Sequence, residues 1–262
     1  MSGDLILVEK QGNICTLTIN RPEKRNSVNP ETLLQLGDTL NSLKEDGETR
    51  VIIIRGSGES AFSSGYDIGR LGGGTSEPEG PRRDAFKYCL DSIQDFPYPV
   101  IAMIYGYAVG GGLEIAVTCD IRLAADTARL GITPARLGVV YSAAGVNRFL
   151  NLVGISHTKE LFYTGRIIDA ERALDIGLVD HVYPVEELHR AAYELAQEIA
   201  HNAPLTIRGI KTTVSKLLKR TAPGPEDEAE LARLQAEAYR SDDLKEGQKA
   251  FLEKRKPRFT GH

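Results

Sequence analysis

The chain has 262 residues, enough to bury a large core in one domain or in a domain with an appendage, so it needs no disulfide or metal staple. Hydrophobic residues at 41% and charged residues at 26% exclude a disordered or fibrous chain. A net charge of −4, from 32 basic and 36 acidic side chains, argues against a nucleic-acid binder and leaves room for a local basic grip on one anionic ligand.

The opening residues, MSGDLILVEK, carry Asp4 ahead of their apolar positions and lack the basic and long apolar regions of a secretory leader. No window approaches the roughly 20 apolar residues of a membrane span, so a cytoplasmic protein with no membrane partner is expected. Cys15, Cys89 and Cys119 form no CxxC pair or Cys/His cluster. They read as reduced core thiols, and no metal site is expected.

Residues 14 to 20, ICTLTIN, alternate apolar and polar and predict a half-buried strand that Arg21-Pro22 ends. Asn29-Pro30-Glu31 reads as N-cap, first helical position and first-turn acid, opening a helix with Leu33, Leu36, Leu40 and Leu43 on one face. VIIIR (51 to 55) and VIAMI (100 to 104) are continuous apolar runs suited to strands covered on both sides, with helix-compatible residues 82 to 95 between them. IRLAA (121 to 125) is a further short strand, and the N-terminal two-thirds is α/β. After residue 140 helical signals dominate: 169 to 176 before Gly177, 185 to 201, 205 to 219, 226 to 240 and 242 to 253, with Phe251 and Leu252 as candidates for docking. Residues 69 to 81, rich in glycine and proline, read as a loop.

Glycine is about one residue in ten against a usual ~7%, and Gly110-Gly111-Gly112 follows the VIAMI strand and opens an apolar helix. Three glycines in a helix cost roughly 1 kcal/mol each relative to alanine, so either a neighbouring backbone approaches closely or the amides face a ligand. Exposed N–H groups at a helix N-terminus favour a developing negative charge. Glu114 lies within Leu113, Ile115, Ala116 and Val117, where burial raises a carboxylate toward a useful acid–base range; a surface glutamate is the alternative. AFSSGYDIG (61 to 69) follows VIIIR as the glycine triplet follows VIAMI. Two strand ends of one sheet can then each supply one N–H of an oxyanion hole.

In order along the chain, NRPEKRNSVN (20 to 29), AFSSGYDI (61 to 68), GYAVGGGLEIAVTCDIRLAA (106 to 125), TGRIIDAERALDIGLVDHV (164 to 182) and AFLEKRKPRF (250 to 259) resemble the crotonase, or enoyl-CoA hydratase/isomerase, superfamily. The resemblance implies an α/β fold of crotonase type: a spiral of ββα units over residues 1–200, with a helical C-terminal trimerisation region over 201–262. It implies an acyl-CoA thioester as substrate, with coenzyme A entering as part of the substrate and no separate cofactor, and a homotrimer or hexamer. It assigns the Tyr66 and Gly111 amides to the thioester oxygen and Ser64 and Ile68 to main-chain contacts with adenine. Arg25 and, from a neighbouring subunit, Phe251 and Lys254 fall on the nucleotide or pantetheine.

Hydratases of this family use two glutamates; the first falls on Glu114, and the second position holds Ala135. The segment TPARLGVVY, with Tyr141, and the ending AFLEKRKPRFTGH are closest in motif to the methylmalonyl-CoA decarboxylase branch, although that branch has histidine where this chain has Tyr66. Loss of CO2 from a 2-carboxyacyl thioester leaves an enolate and needs an oxyanion hole and an acid, not a second base. Decarboxylation is therefore expected ahead of hydration or isomerisation, with Tyr141 either orienting the leaving carboxylate or packing under a loop. A CoA- or RNA-binding relative without turnover is the alternative of another class.

Overall fold

The computed structural model describes residues 4–67, 84–219 and 225–261. Ile68 and the 69 to 81 loop lie outside them. A six-stranded sheet runs β1(Ile6–Gln11), β2(Ile14–Ile19), β3(Val51–Gly56), β5(Val100–Ile104), β7(Ile121–Ala125) and β10(His181–Tyr183), antiparallel only between β1 and β2. A second sheet of three-residue strands, β4(Ala61–Ser63), β6(Tyr107–Val109), β8(Arg129–Gly131) and β9(Ile167–Asp169), is parallel except between β8 and β9. From β3 to α4 the chain visits a strand of each sheet before each helix. β3 and β4 precede α2(Ala85–Gln94), β5 and β6 precede α3(Gly111–Thr118), and β7 and β8 precede α4(Ala143–Thr164), giving the ββα spiral.

The apolar strand runs are buried on both faces because helices lie on each side. Ile52, Ile54 and Ala102 join the core that holds Leu33, Leu36 and Leu40 of α1(Pro30–Glu45). Ile53, Ile101 and Met103 instead pack with Leu188, Ala192 and Ala196 of α6(Val185–His201). The Asn29 side chain caps α1 by accepting from the Thr32 N–H at 2.8 Å, with Pro30 at the first helical position.

One strand departs from expectation. β2 is buried on both faces, because Thr16 shares a 2.6 Å hydrogen bond with the Tyr193 hydroxyl of α6 and so brings its polar face under that helix. The three cysteines are buried and unpaired, as expected, and burial raises all three thiols, Cys15 to about 11.

The remaining helices are α5(Ala170–Asp175), α7(Pro204–Lys219), α8(Pro225–Arg240) and α9(Asp242–Leu252). α9 docks on its own chain: a Cβ on Gly247 would lie 2.6 Å from the Leu137 carbonyl oxygen, and Leu244 and Ala250 are buried. Phe251 and Leu252, the candidates for docking, stand exposed in the single chain at the C-terminal end of this helix. Among the described residues no helix is long and apolar enough to cross a membrane, and no group of three His, Cys, Asp or Glu is placed to hold a metal ion.

Candidate active site

The segment NRPEKRNSVN folds directly against the loop after β4. Asn26, fully buried, donates from Nδ2 to the carbonyls of Ser57 (3.0 Å) and Ala61 (2.7 Å) and accepts from the Arg21 N–H. The Ser64 N–H donates to the Arg25 carbonyl at 3.0 Å, while Val28 N–H donates to Gly65 and Asp67 N–H returns to Val28, each at 2.9 Å. Arg25, exposed and in the left-handed region at φ 51°, is thereby brought beside Ser64.

Gly65 turns the chain at φ +94°, a conformation that disfavours a side chain, and a Cβ there would meet the Val109 carbonyl oxygen at 2.6 Å. This close approach sets Tyr66 beside the start of α3: a Cβ on Gly111 would be 3.6 Å from the Tyr66 amide nitrogen. The Gly111 N–H lies in the first turn of a helix, where no intrahelical acceptor exists. The two amides expected to act together are adjacent. They come from the ends of β4 and β6, parallel neighbours in the small sheet, not from the ends of the large-sheet strands named in the sequence reading. Each chain crosses between sheets before it reaches its amide.

Glu114 is 4% exposed, one turn into α3. Burial raises its carboxyl to about 7, offset in part by the Arg148 guanidinium, while the Asp84 charge adds to the rise. Nη1 of Arg148 donates to Glu114 Oε1 at 3.1 Å. A Cβ on Gly145 would lie 2.9 Å from that same oxygen and 3.0 Å from Cδ1 of Tyr141, so Glu114 and Tyr141 converge on one spot of α4. Tyr141 packs edge-on to Phe162, ring centroids 5.3 Å apart, and burial with the Glu114 charge pushes its phenol well above the ordinary value. It therefore remains a hydroxyl donor at neutral pH. Tyr239 of α8 adds to the rise of Tyr141, and is itself raised by burial and by the Asp84 charge.

Ala135 is exposed in the 3₁₀ turn Pro134–Arg136 and brings no carboxylate. The acid whose field reaches Glu114 is Asp84, whose own side chain accepts from the Phe86 and Lys87 N–H groups as the cap of α2. Phe251 and Lys254 are exposed at and just beyond the C-terminal end of α9. Arg148, Asp84 and Tyr239 were missed in the sequence. Arg148 in GVNRFL carries the pattern of an ordinary helix residue, and only its meeting with Glu114 marks it.

Two adjacent backbone amides, a buried carboxylate raised toward neutrality and a ββα spiral define a crotonase-type acyl-CoA enzyme. The enoyl-CoA hydratase/isomerase family model matches residues 9–262, and the chain belongs to that family. It is 34% identical over 255 residues to a short-chain-enoyl-CoA hydratase of Clostridium acetobutylicum, covering 96% of this chain and 95% of the relative. It is also 34% identical over 263 residues to the methylmalonyl-CoA decarboxylase of Escherichia coli K12, covering all of both chains. A crystal structure of methylmalonyl-CoA decarboxylase with 2S-carboxypropyl-CoA superposes with a TM-score of 0.91 at 34% identity, over the full length of each chain.

Proposed function

We propose that this enzyme decarboxylates a 2-carboxyacyl-CoA such as methylmalonyl-CoA. The observation that carries the reading is the pairing of one buried acid, Glu114, with a protonated Tyr141, while the second glutamate position is an exposed alanine. The thioester oxygen sits on the Tyr66 and Gly111 amides. Tyr141 donates a hydrogen bond to the substrate carboxylate and turns it out of the thioester plane. The bond from C2 to the carboxyl carbon breaks, CO2 leaves, and the electron pair becomes an enolate whose oxygen charge the two amides stabilise. Glu114 then delivers its proton to C2, and a group titrating near 7 is suited to that transfer at neutral pH.

Arg25, Ser64 and Ile68 hold the nucleotide end of coenzyme A in this reading, and Phe251 and Lys254 reach a neighbouring subunit's ligand within a trimer or hexamer. The exposure of Arg25, Phe251 and Lys254 in the single chain supports such a role. A cytoplasmic location and the absence of any cofactor beyond the substrate's own coenzyme A belong to the same proposal. Hydration of an enoyl-CoA is the second reading, supported by the equal identity to a hydratase. Parallel assays with methylmalonyl-CoA, malonyl-CoA and crotonyl-CoA test the choice: CO2 release is expected to exceed hydration by far. Efficient crotonyl-CoA hydration with no CO2 from either malonyl thioester would overturn it.

A further inference from the structure

Glu114 faces a cation that the proposed decarboxylation does not require. Arg148 lies on α4, 34 residues away in sequence, and its side chain is 15% exposed against 5% for that of Glu114. Its single hydrogen bond among the described residues runs from Nη1 to Glu114 Oε1, and its Nε–H is buried without a partner. Arg122, bonded to Cys119, Asp120 and Asp180 away from the site, also leaves a buried Nε–H unpaired, so the contact with Glu114 and not the orphan donor is what singles out Arg148. The guanidinium meets the Glu114 carboxyl at 3.1 Å where both side chains are largely shielded from water. Oε2 of Glu114 has no hydrogen-bond partner among the described residues.

We propose that Arg148 is a positioning residue: it ties down Oε1 of Glu114 and balances the charge left there, so that Oε2 is the oxygen that exchanges a proton with the substrate. The inference rests on the acyl-CoA reading of the site. In the protonation step the Oε2–H bond breaks, a C–H bond forms at C2 from the enolate electron pair, and the thioester carbonyl is restored. The carboxylate that remains is the species Arg148 stabilises, and it takes up its next proton from solvent. The other groups acting on this corner are Asp84 at the start of α2, which opposes Arg148, Tyr141 before α4, and Tyr239 of α8, which acts on Tyr141 and feels the Asp84 charge. Arg148 is the cation among them.

The test is an infrared pH titration of the ligand-free full-length protein, following the protonated carboxyl band that Glu114→Gln removes. An opposite charge at this range lowers a carboxyl by about 1–3 pH units. Arg148→Met is therefore expected to move the midpoint upward by one unit or more, and Arg148→Lys by less than half as much. If Arg148→Met does not fold, Arg148→Gln carries the same upward expectation. The Glu114-dependent limb of α-proton exchange into propionyl-CoA in heavy water should move with the midpoint, in kcat more than in KM. A midpoint that stays within about 0.3 unit or falls in the uncharged variants would overturn the assignment. Because the titration needs no turnover, an enzyme that neither decarboxylates nor hydrates but still shows the shift would refute the proposed reaction and leave the role of Arg148 standing.

Discussion

The first turn of α3 lies so close to β4 that a methyl group on Gly112 would meet the carbonyl oxygen of Ser63 at 2.5 Å and its Cβ at 2.6 Å. Ser63 precedes Tyr66 by three residues and Gly112 follows Gly111 directly, so this contact sets the spacing of the two amides. Gly112→Ala must push the strand and helix apart. Overpacking of this kind is expected to cost about 1–3 kcal/mol in urea unfolding and to lower turnover as the amides separate. Unchanged stability and turnover would mean that the two segments adjust independently.

Replacing Gly111 by proline separates the donor from the fold. Gly111 is the first residue of α3, a position that accepts proline because its N–H has no intrahelical acceptor. Gly111→Pro should fold and lose about 10²–10³ in turnover. A loss of less than a few-fold on every acyl-CoA tested would remove Gly111 from the oxyanion hole.

Glu114 couples stability to pH. Its folded value of about 7 lies above the ordinary 4.5, so its protonated form is favoured in the fold. That contribution is complete below about 4.5 and is lost as pH rises through 7. Glu114→Gln does not titrate, and the stability of wild type relative to it should fall by about 3 kcal/mol between pH 4.5 and 8, an order-of-magnitude figure from 1.36 kcal/mol per unit. Denaturant unfolding of both proteins across that range reads the difference, and parallel curves would place Glu114 in a wetter environment than the one described.

Tyr141→Phe removes the hydroxyl and keeps the ring against Phe162. A hydrogen bond to a charged group contributes ~1.5–3 kcal/mol, so CO2 release should slow by roughly 10- to 150-fold with stability little changed. An equal loss of stability and no loss of rate would make Tyr141 a packing residue.

α7 leaves Leu205, Ile210, Val214 and Leu217 half or more exposed, a run of apolar side chains that a lone soluble chain rarely presents. Light scattering should report a trimer or hexamer. A monomer at working concentration would withdraw Phe251 and Lys254 from a neighbour's site.

Much of this was legible in the sequence because it is local. The Asn29-Pro30 helix start, the doubly covered VIIIR and VIAMI strands, and the buried Glu114 behind a glycine triplet each follow from cap chemistry, hydrophobic runs or the cost of glycine, all within a few residues of chain. The three-residue strands β4, β6, β8 and β9 were not legible, since they are shorter than any period that could reveal them. Thr16 read as solvent-facing until α6, nearly 180 residues later in the chain, supplied the Tyr193 hydroxyl above it. The glycine triplet divided its roles only in space: Gly112 gives way to the Ser63 backbone, while Gly111 presents its amide beside Tyr66. Arg148 became part of the site only through its contact with Glu114 across two helices. Local propensity and periodicity constrain neighbours along the chain, whereas the charge on Glu114 and the spacing of the amides depend on groups that only packing brings together.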